Sequence, residues 1–257
     1  MLPSSFAFTH GATYNLDHLV PSMTALPLCV LLPGFDGSGQ LFEPLLAQAR
    51  LPFRPHVVAL PADVPRGYDE LLAWLYARLP AEPFGLLAES FSGPLAIRLA
   101  ARHPGRVTHL VLAATFLRSP LRSWLAPFAA LARPVLFSRP PPAIGVRALL
   151  AGWDAPTDLI DAIRGAMALL PAEVAAARAQ AALAADEAVA FARVAAPTLW
   201  IQARDDRLLR SDHANDVRSA RADVRVESIL GPHTVLQRRP LQCVEAIERF
   251  ITVGAPR

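Results

Sequence analysis

The chain has 257 residues, 53% of them hydrophobic, and carries 25 basic against 22 acidic side chains for a formal net charge of +3. That length and apolar content suit one elaborated domain with a large core, and so small a charge excess, with no nucleic-acid motif beside it, argues against nucleic-acid binding. Two cysteines are too few for a disulfide framework, no short Cys/His spacing suits a metal, and apolar stretches are broken too often by proline, arginine or acids to span a bilayer. The first residues, Met1-Leu2-Pro3-Ser4-Ser5-Phe6, lack a basic region followed by a long apolar run, so a soluble cytoplasmic protein without a secretory signal is expected. All the basic residues other than histidine are arginine, which with the alanine abundance reflects a GC-rich genome rather than a mechanism.

In chain order, residues 28–32 form an apolar run predicted as a buried strand. It ends in Pro33-Gly34-Phe35-Asp36-Gly37-Ser38-Gly39, a glycine-rich loop suited to turning backbone amides toward a substrate oxygen. A strand is predicted over 56–61, a helix over 68–79, a strand over 84–88, a helix over 93–102 and a strand over 107–114, the alternation that a parallel sheet with crossover helices demands. The strand at 84–88 runs through Ala88-Glu89-Ser90-Phe91-Ser92 into the following helix. A serine at the tip of such a sharp turn needs small residues two positions to either side, and Ala88 and Ser92 stand where glycines are usual. Ser92 is the expected N-cap of the helix, which leaves Ser90 for other work.

From 116 to about 192 the alternation gives way to an alanine-rich helical stretch broken at Pro120, Pro127, Pro134, Pro140-Pro141-Pro142, Pro156 and Pro171. Between Leu117 and Trp153 it holds Arg118, Arg122, Arg133, Arg139 and Arg147 and no acid, with Trp124, Leu125, Phe128, Leu131, Leu136 and Phe137 as apolar bulk. One reading is a cationic, greasy rim that attracts an anionic acyl carrier or a lipid surface; the other is a solvated helix face beside an ordinary core stripe. A strand over 197–202 then delivers Asp205 and Asp206, and a strand over 224–230 runs into Gly231-Pro232-His233-Thr234 before a helix over 240–251. Cys29 and Cys243 are expected to be inert core thiols.

The strand-to-helix turn at Ser90, the glycine-rich loop upstream, and an aspartate loop and a histidine loop downstream make the chain resemble the α/β-hydrolase superfamily over nearly its whole length. The run Leu-Pro-Gly-Phe-Asp-Gly-Ser-Gly with Glu-Ser-Phe-Ser-Gly is similar to a bacterial branch of it and, more faintly, to plastid phytyl ester synthases. The resemblance implies a mostly parallel sheet with helices on both faces, a core of residues 1–115 and 193–257, and an inserted helical cap over 116–192. It implies Ser90 as nucleophile, His233 as general base and Asp206 as orienting acid, in the chain order this fold uses. Family members commonly read G-x-x-D before apolar residues, which aligns Asp206; Asp205 is the alternative. The oxyanion donors map to the backbone amides of Phe35 and Phe91, with their side chains toward the acyl pocket. The implied activity is hydrolysis of a carboxylic ester or thioester without a cofactor or metal. An acyltransferase using the same residues with an alcohol acceptor, or a non-catalytic binding member of the fold, is the alternative, and a cofactor-free peroxidase side activity is known on this scaffold.

Overall fold

Six apolar segments become strands: β1 (Leu28–Leu32), β2 (Arg54–Val57), β3 (Phe84–Glu89), β4 (Val107–Ala113), β5 (Thr198–Ala203) and β6 (Arg225–Ile229). The computed structural model describes residues 26–120, 132–209 and 213–253. All adjacent strands pair in parallel, in the order β2-β1-β3-β4-β5-β6. The inner strands are near-continuous apolar runs because helices cover both faces. Side chains alternate along them: Val30, Leu32, Leu86, Ala88, Leu110 and Trp200 enter one core. Cys29, Leu31, Leu87, Val111, Leu199 and Ile201 enter the other. Arg54, Arg225 and Glu227 fall on the two edge strands, where one side is free of the ladder.

The helices in chain order are α1 (Glu43–Leu46), α2 (Tyr68–Tyr76), α3 (Ser92–Arg102), α4 (Ala143–Gly145), α5 (Thr157–Ala168), α6 (Ala172–Leu183), α7 (Ala188–Phe191), α8 (His213–Ala220), α9 (Val235–Arg238) and α10 (Pro240–Val253). Leu71 and Leu75 of α2, Leu95 and Leu99 of α3 and Val217 of α8 close the first core. Leu45 of α1, Val235 and Leu236 of α9 and Ile247 of α10 close the second.

Most boundaries shift by a residue or two from the sequence reading, and three differences have a visible cause. β2 ends at Val57, not 61: Val58 N still reaches Leu31 O at 3.0 Å, but Leu60 N turns to Gly37 O at 2.8 Å and leaves the ladder. α2 stops at Tyr76, short of Pro80, which disfavours helical backbone at the residue before it. Ser92 does not cap α3. It is the first helical residue, and its Oγ donates to Pro33 O at 2.5 Å, stitching the turn after β3 to the loop after β1.

Between β4 and β5 the described chain is helical, as its alanine content predicts. Pro156 and Pro171 directly precede α5 and α6, where a missing amide costs nothing. A π-helical turn spans Val146–Ala151. This segment leaves and re-enters through a narrow neck. Arg118 bridges Asp186, Glu187 N donates to Leu117 O at 2.7 Å, and Arg98 of α3 donates from Nε and Nη2 to the buried Glu187 carboxylate at 2.8 and 2.7 Å.

Candidate active site

β1 has β2 on one side and β3 on the other, so chain order reverses there, and in open parallel sheets ligands sit at the carboxyl ends of such a switch point. The loop at 33–39 follows β1, and Ser90 follows β3.

Ser90 takes φ +49°, a left-handed conformation that costs a non-glycine residue about 1–3 kcal/mol and persists only where the surroundings impose it. They do so through three bonds. Ser90 N donates to Ala113 O at 2.9 Å, while Ser90 O accepts from Gly93 N at 3.0 Å and from Thr115 Oγ1 at 2.5 Å. The turn tolerates Ala88 and Ser92, both buried. The indispensable glycine is Gly93, where a Cβ would lie 1.9 Å from Thr115 Oγ1.

His233 follows β6, and its Nε2 stands 2.9 Å from Ser90 Oγ. Its Nδ1 is 2.7 Å from Asp206 Oδ2, and the other Asp206 oxygen accepts the amides of Leu208 and Leu209, each at 2.9 Å. With Nδ1–H donating to the carboxylate, Nε2 is left to accept from the serine hydroxyl. Asp205, the alternative, is exposed, and its amide binds Gly231 O at 2.9 Å, which fixes the two loops together. Burial opposes the charged forms of both His233 and Asp206, but their mutual attraction and hydrogen bond outweigh it. The imidazole pKa is held above its ordinary 6.5, with Glu89 adding to the rise, and the carboxyl is held below its ordinary value with help from the two amides.

Phe35 and Phe91 meet edge to face, with ring centroids 6.0 Å apart. Tyr68 stacks on Phe91 at 5.0 Å and donates its hydroxyl to Phe91 O at 2.8 Å. Among the described residues neither the Phe35 nor the Phe91 amide donates to a protein acceptor. A cavity of about 310 Å³ opens beside Ser90, walled by Phe35, Phe91, Phe116, Met167 and Leu208 among other apolar side chains, and none of the described residues that line it is charged.

Sequence reasoning passed over two groups here. Glu89, the strand residue before Ser90, is buried, accepts from Gln237 Nε2 at 3.0 Å, and has its carboxyl pushed by burial up to about 7, against the Gln237 hydrogen bond and the His233 charge. Arg178 of α6 reaches Phe35 O; its signal was an arginine in the apolar stripe of an alanine helix. Of the five arginines between 117 and 153, the four among the described residues take different surroundings. Arg118 pairs with Asp186 and Asp216, and Arg147 donates to Trp153 O and Ala155 O. Arg133 and Arg139 are exposed without an ion pair among the described residues. Arg122, Trp124, Leu125, Phe128 and Leu131 lie outside the described residues.

Among the described residues no cluster of His, Cys, Asp or Glu is placed to hold a metal, and no helix is long and apolar enough to cross a membrane. Both cysteines are buried, and burial pushes each thiol up to about 12.

No protein-family model matches the chain, and no curated protein matches it in sequence. Solved structures do. A thermophilic esterase from Thermogutta terrifontis superposes with a TM-score of 0.74 at 19% identity, over 89% of this chain and 90% of that one. An enol-lactonase from Burkholderia xenovorans gives 0.68 at 21% identity, over 88% and 92%. A hydrolase from Pseudomonas aeruginosa gives 0.67 at 20%, over 90% and 91%. Likeness at such identities speaks to architecture, and with the parallel sheet and its crossover helices it is decisive there: this chain has the α/β-hydrolase fold.

Proposed function

We propose that the chain is a serine hydrolase of uncharged carboxylic esters or thioesters. The observation that carries this reading is the hydrogen-bonded chain Ser90–His233–Asp206 at the switch point, opening on an apolar cavity. Ser90 Oγ attacks the acyl carbon as its proton passes to His233 Nε2, and Asp206 stabilises the imidazolium. The carbonyl oxygen, now negative, is received by the Phe35 and Phe91 amides, which have no protein acceptor to give up first. Collapse of the tetrahedral adduct breaks the bond to the alcohol or thiol, which takes the proton from His233. Water then repeats the sequence on the acyl-enzyme.

Residues 116–192 are the cap in this reading, supplying Phe116, Met167 and Leu183 to the cavity. A volume near 310 Å³ lies at the small end of ligand pockets, about 300–1,000 Å³, so short to medium acyl chains are favoured over long ones. The lining that the described residues supply is uncharged, which disfavours acyl groups that end in a carboxylate, since burying an unpaired charge is costly.

The test is p-nitrophenyl ester hydrolysis at pH 8, from acetate to palmitate, by the wild type and Ser90→Ala. The expected outcome is an optimum between butyrate and octanoate and a loss of at least about 10⁴-fold in the variant. Equal rates from the two proteins overturn the reading. A burst of p-nitrophenol without turnover, turned into steady release by an added alcohol that takes the acyl group as a new ester, assigns the same residues to an acyltransferase.

A further inference from the structure

Arg178 is 1% exposed, an unusual state for an arginine. On α6 it shares a face with Val174 and Ala182 at i, i+4 spacing, so a cation occupies a position the apolar stripe assigns to core. Its Nη1 donates to Phe35 O at 2.6 Å and its Nη2 to Pro61 O at 3.0 Å, while its Nε is buried without an acceptor. No carboxylate among the described residues pairs with it. Asp36 contributes only through space, its Oδ2 being engaged by the Ser38 amide and hydroxyl. The loop is shaped around the guanidinium: Gly37 takes φ +75°, and a Cβ there would lie 2.3 Å from Nη1. The guanidinium carbon also stands 5.8 Å from the Phe91 ring centroid, so one side chain lies against both residues proposed as oxyanion donors.

A buried charge without a counterion is costly, and the two carbonyls it serves need only neutral donors. What the guanidinium adds is a rigid fork that fixes two backbone segments relative to α6 at once. We propose that Arg178 is a positioning residue: by holding the Phe35 carbonyl it sets the peptide planes on either side of Phe35 so that the Phe35 amide points at the developing oxyanion. Because Arg178 belongs to the segment between β4 and β5, the oxyanion hole is complete only when α6 is seated on the core. Burial pulls its pKa down to about 10, which leaves it charged at neutral pH.

This inference rests on the hydrolase reading, and the experiment separates the two. A fluorophosphonate probe labels Ser90 whatever the natural substrate: the Oγ–P bond forms, the P–F bond breaks, fluoride leaves and the hydroxyl proton passes to His233. We expect Arg178→Met to slow labelling and to lower kcat for p-nitrophenyl butyrate by about 10- to 100-fold, with KM within about threefold, part of the loss seen when an oxyanion donor is removed outright. An alkyl boronic acid, which binds as a tetrahedral adduct, should weaken by the same factor. Arg178→Lys, which keeps the charge and can reach one carbonyl, should recover part of the rate. Gly37→Ala, which crowds the guanidinium from the opposite side, should reproduce the kcat loss. Labelling of Arg178→Met within twofold of wild type overturns the inference, as does a loss carried by KM alone. If the methionine variant does not fold, the lysine variant decides: a wild-type labelling rate overturns the inference. A wild type that does not label at Ser90 overturns the hydrolase reading and this inference with it.

Discussion

Around Ser90 the side chains are fixed by bonds of 2.7–3.0 Å that join residues far apart in sequence, Asp206 to His233, Ser90 to His233 and Glu89 to Gln237. The segment between β4 and β5 is built otherwise in part. Ala182, Ala185 and Phe191 join a main core and Arg178 ties α6 to Phe35 O, but the rest packs through small satellite clusters, Val146 with Ala151, Ile160 and Ile163, and Leu170 with Val174 and Ala175. It leaves Val135, Leu136, Ile144, Leu149, Trp153 and Leu169 facing solvent. The two regions share one cavity. Under the proposed function the difference has a reason: bond making demands sub-ångström placement and hence an over-determined frame, whereas fitting an acyl chain needs only an apolar wall that can repack.

Three measurements press on this contrast. The largest effect belongs to the frame. Asp206→Asn should lower kcat about 10⁴-fold by disturbing the imidazole tautomer, while Asp205→Asn should change it less than twofold. Equal losses from the two variants erase the distinction between the aspartates.

Glu89→Gln gives the next effect, with a defined sign. The folded protein holds the Glu89 proton until about pH 7, whereas the ordinary value is 4.5. Stability tied to that proton is complete below about pH 4.5 and is lost as pH rises through about 7. The stability of Glu89→Gln relative to wild type should therefore be higher at pH 8 than at pH 4, by up to about 3 kcal/mol in urea melts. Glu89 also raises the His233 pKa, so the variant's acid limb of kcat/KM should move to lower pH. Melts with the opposite dependence remove Glu89 from the frame.

The smallest effect tests the segment. Arg133→Ser with Arg139→Ser should raise KM for an ester with an anionic headgroup by up to about threefold and leave a neutral ester unchanged, the size that exposed, screened charges support. An equal change for both esters discards the cationic rim.

Much of the frame was legible because its signals are local. Leu28–Leu32 reads as a buried strand without help, and the order Ser90, Asp206, His233 with a strand before each is visible in one dimension. The choice of Asp206 over Asp205 came from analogy with the family pattern, and Asp206 is the aspartate whose carboxylate meets His233. What escaped has distant partners. Arg178 meets Phe35 across 143 positions and Glu89 meets Gln237 across 148; an arginine in the apolar stripe of α6 marks Arg178 as unusual, but nothing near either residue names its partner. Ser92 misled for a related reason: a serine at a helix start normally serves its own helix, and here the carbonyl of Pro33, 59 positions away, claims the hydroxyl.

The neck at Leu117 and Glu187 bears on how the segment beyond it can vary. Both ends of a long excursion are clamped side by side, by the Glu187 amide on Leu117 O and the Arg118–Asp186 bridge, before the chain rejoins the sheet. The cost of closing a loop grows only slowly with its length once the ends are held together. What lies beyond the clamp can thus be lengthened, shortened or exchanged at little entropic cost, so that under the proposed function new substrates are reached by changes above the clamp while the Ser90–His233–Asp206 geometry below is left in place.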